Sequence, residues 1–474
     1  MINNTQQSIK KSALKLSQPL GYSEVIEYLD NKWSTPLDKT LKRFKAIDKA
    51  LGNVAKTIPS ILVAGSNGKS LTAYFTAKLL KEEGLNVGVL SSPHILTYNE
   101  RIVVDGEAIN NKKFTEVGNA VINTIEQEKI DANSAEILTA MALLAFKDSK
   151  TDVAVLEVQQ PDRHDPVTIC NTKVVAITRV TSDQINTEDP KFNDLVKNLA
   201  DLAVNNSIMI SADQSKINLQ AIQEKALENG AQWAMPIRKL AALPYPFEQL
   251  HGRCAALAER ASQLYIENFA NKNTAIATNS LLIKPKGQRG RPSLETKRSL
   301  ELNPHRTVEQ FWKECEITAL PGRFQLLDKE KPSILLDNAD NIDAFANTLL
   351  GIRLLHYQKP LKGLTIIIGC ENGNIHTPEF LRQIRYFFKK TSGQIIFCPI
   401  KNSKDAENAT KKWDVEAITN DIKNVKVKAH SVKNFSEAFD LAKKSVDERY
   451  GLIVITGSKS IVAEYWNNKG IKKS

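Results

Sequence analysis

The stretch Ile61-Leu62-Val63-Ala64-Gly65-Ser66-Asn67-Gly68-Lys69-Ser70 runs an apolar strand into a glycine-bounded turn with a lysine and a hydroxyl at its exit. The residues that follow, up to Glu83, have helical spacing, with Phe75, Leu79 and Leu80 on one face. Strand, turn and helix N-terminus in that order form an anion-binding cradle. Backbone N–H groups of the turn point inward, the helix dipole adds partial positive charge, and Lys69 can reach the outer phosphates of a nucleotide. Ser70 stands where a phosphate-loop hydroxyl meets Mg²⁺. The usual spacing would need a glycine at Val63, so the loop is a shortened variant. Gly65, Ser66, Asn67, Gly68, Lys69 and Ser70 are thus the predicted phosphate-binding residues. A second candidate, Glu157, closes the apolar run that begins at Val153. The C-terminal end of a buried strand is where open α/β sheets expose ligand-binding groups. A carboxylate there suits a metal or ATP-linked role, the alternative being a residue that only caps the next turn.

These residues need a scaffold. The predicted strands are 60–63, 87–90, 153–158 and 174–178, with helices at 72–83, 113–128 and 135–146 between them and two helices within 21–52. Strands 207–211 and 233–235 would extend the sheet. Strands alternating with helices predict an α/β fold, a parallel sheet covered on both faces. From 270 to 305 periodicity gives way to Lys, Arg, Gly and Pro, which marks a boundary. A second series follows, with strands at 334–337, 364–369, 394–399, 425–429 and 452–456. The expected organisation is an ATP-binding unit over 1–280, a basic linker over 281–305 and a smaller Rossmann-like unit over 306–474.

Val63 to Lys69 resembles the nucleotide loop of the Mur ligase superfamily. The continuation Gly84-Leu85-Asn86-Val87-Gly88-Val89-Leu90-Ser91-Ser92-Pro93-His94, then Asn99-Glu100-Arg101-Ile102, narrows the resemblance to the folylpolyglutamate and dihydrofolate synthases. Leu156-Glu157-Val158, Arg163, Asp165, Pro321-Gly322-Arg323-Phe324-Gln325, Asp337, Asn341 and Ile455-Thr456-Gly457-Ser458 follow in family order to the end of the chain. The resemblance implies ATP-driven amide formation. A folate or pteroate carboxylate attacks the γ-phosphate of ATP, and glutamate displaces phosphate from the acyl phosphate. It further implies ATP and Mg²⁺ as cofactors, with Lys69, Glu157 and Arg323 carrying the catalysis. Gln249, Arg323 and Asp337 would join the loop around ATP; Ser70, Glu157 and Gln184 would hold the metal. Ser92, Pro93, His94, Arg101, Arg163 and Asp165 would surround the acceptor.

The chain also departs from that pattern. Pro161 stiffens a loop that relatives keep glycine-rich. Gln184 replaces a metal-binding histidine, Leu202 lies nearest the place of a carbamylated lysine, Glu248 precedes Gln249 where relatives have histidine, and Asp340 replaces another histidine. These changes predict one firmly held Mg²⁺ and slow turnover. They leave a second possibility, a degenerate member that binds nucleotide or a folate-like ligand with little or no turnover.

The remaining composition narrows the context. With 474 residues, 42% hydrophobic and 25% charged, the chain is of soluble globular type and long enough for two or three domains. No apolar run could span a bilayer, and residues 1–20 lack the apolar stretch of a signal peptide, so a cytoplasmic monomer without membrane partners is expected. Five scattered cysteines fit reduced thiols rather than zinc ligands or disulfides. The net charge of +11 suits polyanionic small molecules or nucleic acid. The sharpest basic cluster, 284–298, could be a minor-groove hook; a solvated linker is the simpler account, and nucleic acid is not expected.

Overall fold

The computed structural model describes residues 18–36, 38–181, 190–270, 281–282, 307–316, 320–400 and 412–471. The basic cluster at 284–298 lies outside the described residues. The first sheet has the order β4-β3-β2-β5-β1-β6-β7-β8. Its strands are β1 (Pro59–Ala64), β2 (Val87–Leu90), β3 (Ile102–Val104), β4 (Glu107–Ala108), β5 (Val153–Glu157), β6 (Asn171–Ile177), β7 (Ile208–Ser211) and β8 (Gln232–Ala234). From β2 to β8 neighbouring strands pair in parallel. The continuous apolar runs demand cover on both faces, and helices supply it. Helices Tyr22–Lys32, Lys42–Ala50, Asn111–Gln127 and Ser134–Asp148 bury Val25, Phe44, Phe114 and Phe146 on one face. On the other, helix Lys69–Glu82 and the long helix Phe247–Asn268 bury Phe75, Leu79, Leu257 and Leu264.

The second sheet has the order β13-β12-β11-β14-β10-β9. Its strands are β9 (Gln325–Leu327), β10 (Ser333–Leu336), β11 (Leu364–Ile368), β12 (Gln394–Phe397), β13 (Ala429–Ser431) and β14 (Leu452–Thr456). Helices Ile342–Gln358, Pro378–Phe388 and Val415–Asn424 cover one face; Phe435–Lys444 and Lys459–Asn468 cover the other.

Both sheets are mixed rather than purely parallel. β3 and β4 add an antiparallel hairpin to the edge of β2, and β9 pairs antiparallel with β10. The hairpin turns on Asp105-Gly106, both with positive φ, the backbone that an Asp-Gly pair favours between two strands. The strand expected over 425–429 begins only at Ala429. Val425, Lys426 and Val427 instead close the preceding helix, their N–H groups donating to Asp421, Lys423 and Ile422 carbonyls, with Lys426 at φ 63°. Helix Val308–Glu314 packs with the first sheet: the Trp312 ring meets Phe75 edge-on at 5.2 Å, and its indole N–H donates to Glu259 at 3.2 Å. Packing therefore carries the first unit past residue 306, and the second sheet starts at Gln325.

Candidate active site

The phosphate loop leads straight into its helix, which begins at Lys69 rather than Thr72, with Gly68 as N-cap at φ 90°. The first N–H groups of the helix have no intrahelical partner, so an anion can accept from them. Gly65 has φ 124°, and a Cβ there would lie 2.2 Å from Thr178 Oγ1; at Gly68 a Cβ would lie 2.7 Å from Cys254 Sγ. Neither position admits a side chain without displacing the loop. Ser66 fixes the turn to the strand beside it. Its N–H donates to Arg179 O at 2.8 Å, while its hydroxyl donates to Thr181 O and accepts from Thr181 N–H, both at 3.0 Å. The Lys69 ammonium donates to Gly65 O at 3.0 Å and Ser66 O at 3.2 Å, folded over the turn it serves.

Across from the loop stands the second domain, and the two enclose a cleft of about 590 Å³. Ser70, Glu157, Gln249, Arg323, Asp337 and Asp340 all line it. Glu157 is buried at the end of β5 and accepts from Ser92 N–H at 3.1 Å. The Ser70 hydroxyl lies 3.4 Å from Ser92 O and accepts from Arg323 Nη2 at 3.3 Å. Hydroxyl, carboxylate and guanidinium thus converge beside one turn, which places hard oxygen donors next to a phosphate-type cation. Asp337 accepts from Phe324 N–H, Ala339 N–H and the Thr348 hydroxyl at 2.8, 3.0 and 3.0 Å. It thereby holds the turn that carries Arg323, and burial raises its carboxyl to about 6.

The expected acceptor residues divide into two groups. Ser92 and Pro93 line the cleft. His94 and Arg101 lie just beyond it, with Arg101 Nε donating to His94 Nδ1 at 2.8 Å, which leaves the ring proton on Nε2. The Arg101 guanidinium also lies over the Trp33 and Tyr98 rings at 5.3 and 5.6 Å. Arg163 and Asp165 do not line the cleft. Arg163 is exposed, whereas Asp165 is buried and accepts from the N–H groups of Gln159, Gln160 and Val167 at 2.8, 2.7 and 3.0 Å. Its carboxyl, raised to about 6 by burial, organises the loop after β5. Gln184 lies outside the described residues. Leu202 is 2% exposed and packs in the core with Val196 and Leu199, away from the cleft. His164 pairs locally with Asp162 at 3.3 Å.

Some lining residues escaped the sequence reading. The long helix Phe247–Asn268 brings His251, Cys254 and Leu257 to the cleft. Leu250, Cys254, Leu257, Ala261 and Leu264 recur at helical spacing, and that signal could have found it. His251 stacks on Phe247 at 5.6 Å, and burial lowers its imidazole to about 4. Asn67 and Arg179 bind the second domain directly. The Asn67 amide donates to Asp343 at 2.9 Å and accepts from Asn341 Nδ2 at 2.9 Å, and Arg179 pairs with Asp343 at 2.6 Å. No local pattern joins residues so far apart in the chain.

A glycine-bounded strand–turn–helix on one α/β unit and an arginine from a second line a single cleft, in a two-domain α/β fold of the Mur-ligase type. No family model matches the chain. It is 26% identical over 343 residues to the dihydrofolate synthase/folylpolyglutamate synthase of Bacillus subtilis, covering 69% of this chain and 76% of that relative. A second alignment, to the dihydrofolate synthase/folylpolyglutamate synthase of Mycobacterium tuberculosis, shows 33% identity over 175 residues, 34% of this chain and 36% of that one. The fold is similar to that of Mycobacterium tuberculosis folylpolyglutamate synthase complexed with ADP, with a TM-score of 0.73 at 19% identity over 95% of this chain and 98% of that chain. A bifunctional folylpolyglutamate synthase/dihydrofolate synthase from Yersinia pestis, complexed with AMPPNP and a Mn ion, gives a TM-score of 0.70 at 20% identity over 97% of this chain and 100% of that chain. In sequence and in fold the chain is thus similar, as a distant relative, to folylpolyglutamate synthase/dihydrofolate synthases.

Proposed function

We propose that this protein is an ATP-dependent ligase that joins glutamate to the carboxylate of a folate or pteroate through an acyl phosphate. One observation carries the proposal: the Gly65–Ser70 cradle meets Arg323 of the second domain in one cleft, Arg323 donating to the Ser70 hydroxyl at 3.3 Å, with Glu157 and Ser92-Pro93 lining the same space. Phosphates held by the cradle and Lys69 would lie against Arg323, whose planar fork binds two oxygens at once. The Ser92–Arg101 segment would present the acceptor carboxylate to the γ-phosphorus. In-line transfer needs chiefly such positioning and charge neutralisation. Ser70 and Glu157 offer the hard oxygen ligands that suit Mg²⁺, which when bound would neutralise phosphate oxygens. Gln249 and Asp337 lie where they can contact the rest of the nucleotide, and Asp337 also fixes the Arg323 turn.

Adenylyl nucleotides and a divalent ion in the related structures support this use of the cleft. The comparisons do not favour the degenerate alternative over a working ligase. We further propose a monomer, because both walls of the cleft come from one chain, and a reducing cytoplasmic setting, because the five cysteines are scattered along the chain without CxxC or zinc-type spacing. Among the described residues no helix is long and apolar enough to cross a membrane. The test is ADP release by the purified chain with ATP and Mg²⁺, with and without a pteroate or folate acceptor and glutamate. Release that needs both substrates supports the proposal; release indifferent to them defeats it.

A further inference from the structure

Between β2 and β3 the first domain sends out the segment 91–101, and one of its side chains does not return to its own core. Ile95 is 3% exposed and lies in an apolar cluster of the second domain, with Ile334, Leu336, Ile455 and Val462. Leu96 packs against the same cluster. The Glu100 carboxylate fixes the backbone there, accepting from the N–H groups of Ile95, Leu96 and Thr97 at 2.9, 2.7 and 2.7 Å. Three charge-assisted hydrogen bonds to one side chain make Ile95 a rigid knob. Its hole is Gly322. That residue has φ 61°, and a Cβ there would lie 2.5 Å from Ile95 Cδ1 and 3.4 Å from Val462 Cγ1. Glycine is demanded twice, by the left-handed backbone and by the methyl group that fills the space.

Gly322 immediately precedes Arg323. The second domain ties this turn to its own sheet: Gly322 N–H donates to Gln325 Oε1 at 3.0 Å, Asn338 N–H donates to Gly322 O at 2.9 Å, and Phe324 N–H donates to Asp337. Ile95 bears on the turn from the first domain, and the Arg323 guanidinium beyond it donates to Pro321 O at 3.1 Å and to the Ser70 hydroxyl. Resting on the ligase proposal above, we infer that Ile95 is a positioning residue, which acts through Gly322 to set the Arg323 of the second domain against the phosphate cradle of the first. Hydrogen bonds within the second domain place the turn only relative to that domain. The phosphates, however, are held by the other one, so the arginine needs a reference point there. A methyl group lodged over a glycine Cα supplies it, because close-packed apolar contacts resist displacement in a way that a solvated loop does not. Ser92, on the same segment, is held by Glu157 at the end of β5, which anchors the knob to the first sheet. A clamp misplaced by about 1 Å can lose about 10²-fold in rate.

The experiment is a double-mutant cycle in the full-length chain, Ile95→Ala with Arg323→Ala. It is followed by ADP release that depends on acceptor and glutamate, and by calorimetric affinity for a nonhydrolysable ATP analogue. Ile95→Ala should lower turnover about 10- to 100-fold. In the Arg323→Ala background the same change should cost less than about threefold, because the group it positions is gone. Losses that multiply would make Ile95 a structural residue only and overturn the inference, as would wild-type turnover in Ile95→Ala. Should the alanine variant not fold, Ile95→Val, which loses only Cδ1, repeats the cycle with a smaller loss of the same non-additive kind. If wild type shows no substrate-dependent ADP release, the ligase proposal itself fails and the analogue decides. Ile95→Ala should then weaken its binding by about threefold or more, and no further once Arg323 is replaced. Unchanged binding, or losses that multiply, overturn the inference.

Discussion

Replacing Lys69 by alanine isolates what the phosphate loop does. In the folded chain the ammonium holds two neutral carbonyls, Gly65 O and Ser66 O, at 3.0 and 3.2 Å. The site is only half-buried, so water can take over both acceptors, and the loss of stability should stay below about 2 kcal/mol, the upper range for two such bonds. Binding should suffer more. A charge-assisted hydrogen bond to phosphate contributes about 1.5–3 kcal/mol, which is roughly 10- to 150-fold in affinity. Breaking the two carbonyl contacts on binding offsets part of this, so a weakening of about 10- to 100-fold is expected in a calorimetric ATP titration. Turnover should fall further, by about 10²- to 10³-fold, because charge accumulates on the transferred phosphoryl oxygens. A variant with wild-type ATP affinity, wild-type turnover and an unchanged melting temperature would refute the phosphate-loop assignment.

Glu157→Gln keeps an oxygen for the Ser92 N–H but loses the negative charge. The Mg²⁺ concentration for half-maximal ADP release should rise at least about tenfold with little change in melting temperature; an unaltered Mg²⁺ dependence would remove Glu157 from the metal site. Leu202→Lys should not restore catalysis. Its side chain sits in the core, so the variant should lose about 3 kcal/mol or more in denaturant unfolding, and a stable, faster enzyme would show that this position reaches the cleft. Acid stability should reflect opposing groups. Asp165 and Asp337, raised from 3.8 to about 6, bind protons more tightly when folded, so the stability they add is present below about pH 3.8 and is lost as pH rises through 6. His251, lowered from 6.5 to about 4, works the other way: its protonation on unfolding costs the native state stability as pH falls through that window. Compared with wild type, His251→Phe should therefore melt relatively higher at pH 4.5 than at pH 8; a pH-independent difference would contradict a buried neutral imidazole.

Much of this protein could be read locally. The strand, turn and helix around Gly65–Ser70 are specified by a short run whose apolar residues, glycines and helical spacing agree with one another. The end of β5 likewise brings Glu157 to the cleft, since a continuously apolar strand has to lie inside a covered sheet and opens only at its end. The Asp105-Gly106 hairpin and the long helix Phe247–Asn268 were also written locally, in a turn pair and in periodic apolar positions. Other features had no local signature. Asp165 follows the family motif in sequence, but three backbone N–H groups draw its carboxylate inward, away from the cleft. Leu202 stands where the family resemblance implied an active-site position, yet an apolar side chain gains more from the core than from a polar cleft, and the structure buries it there. The pairing of Asn67 and Arg179 with Asn341 and Asp343, and the seating of Ile95 against Gly322, depend on how one domain faces the other. Hydrophobic period and turn chemistry are short-range and decide the elements; a cleft is made by side chains distant in sequence, and only the packing of two finished domains brings them together.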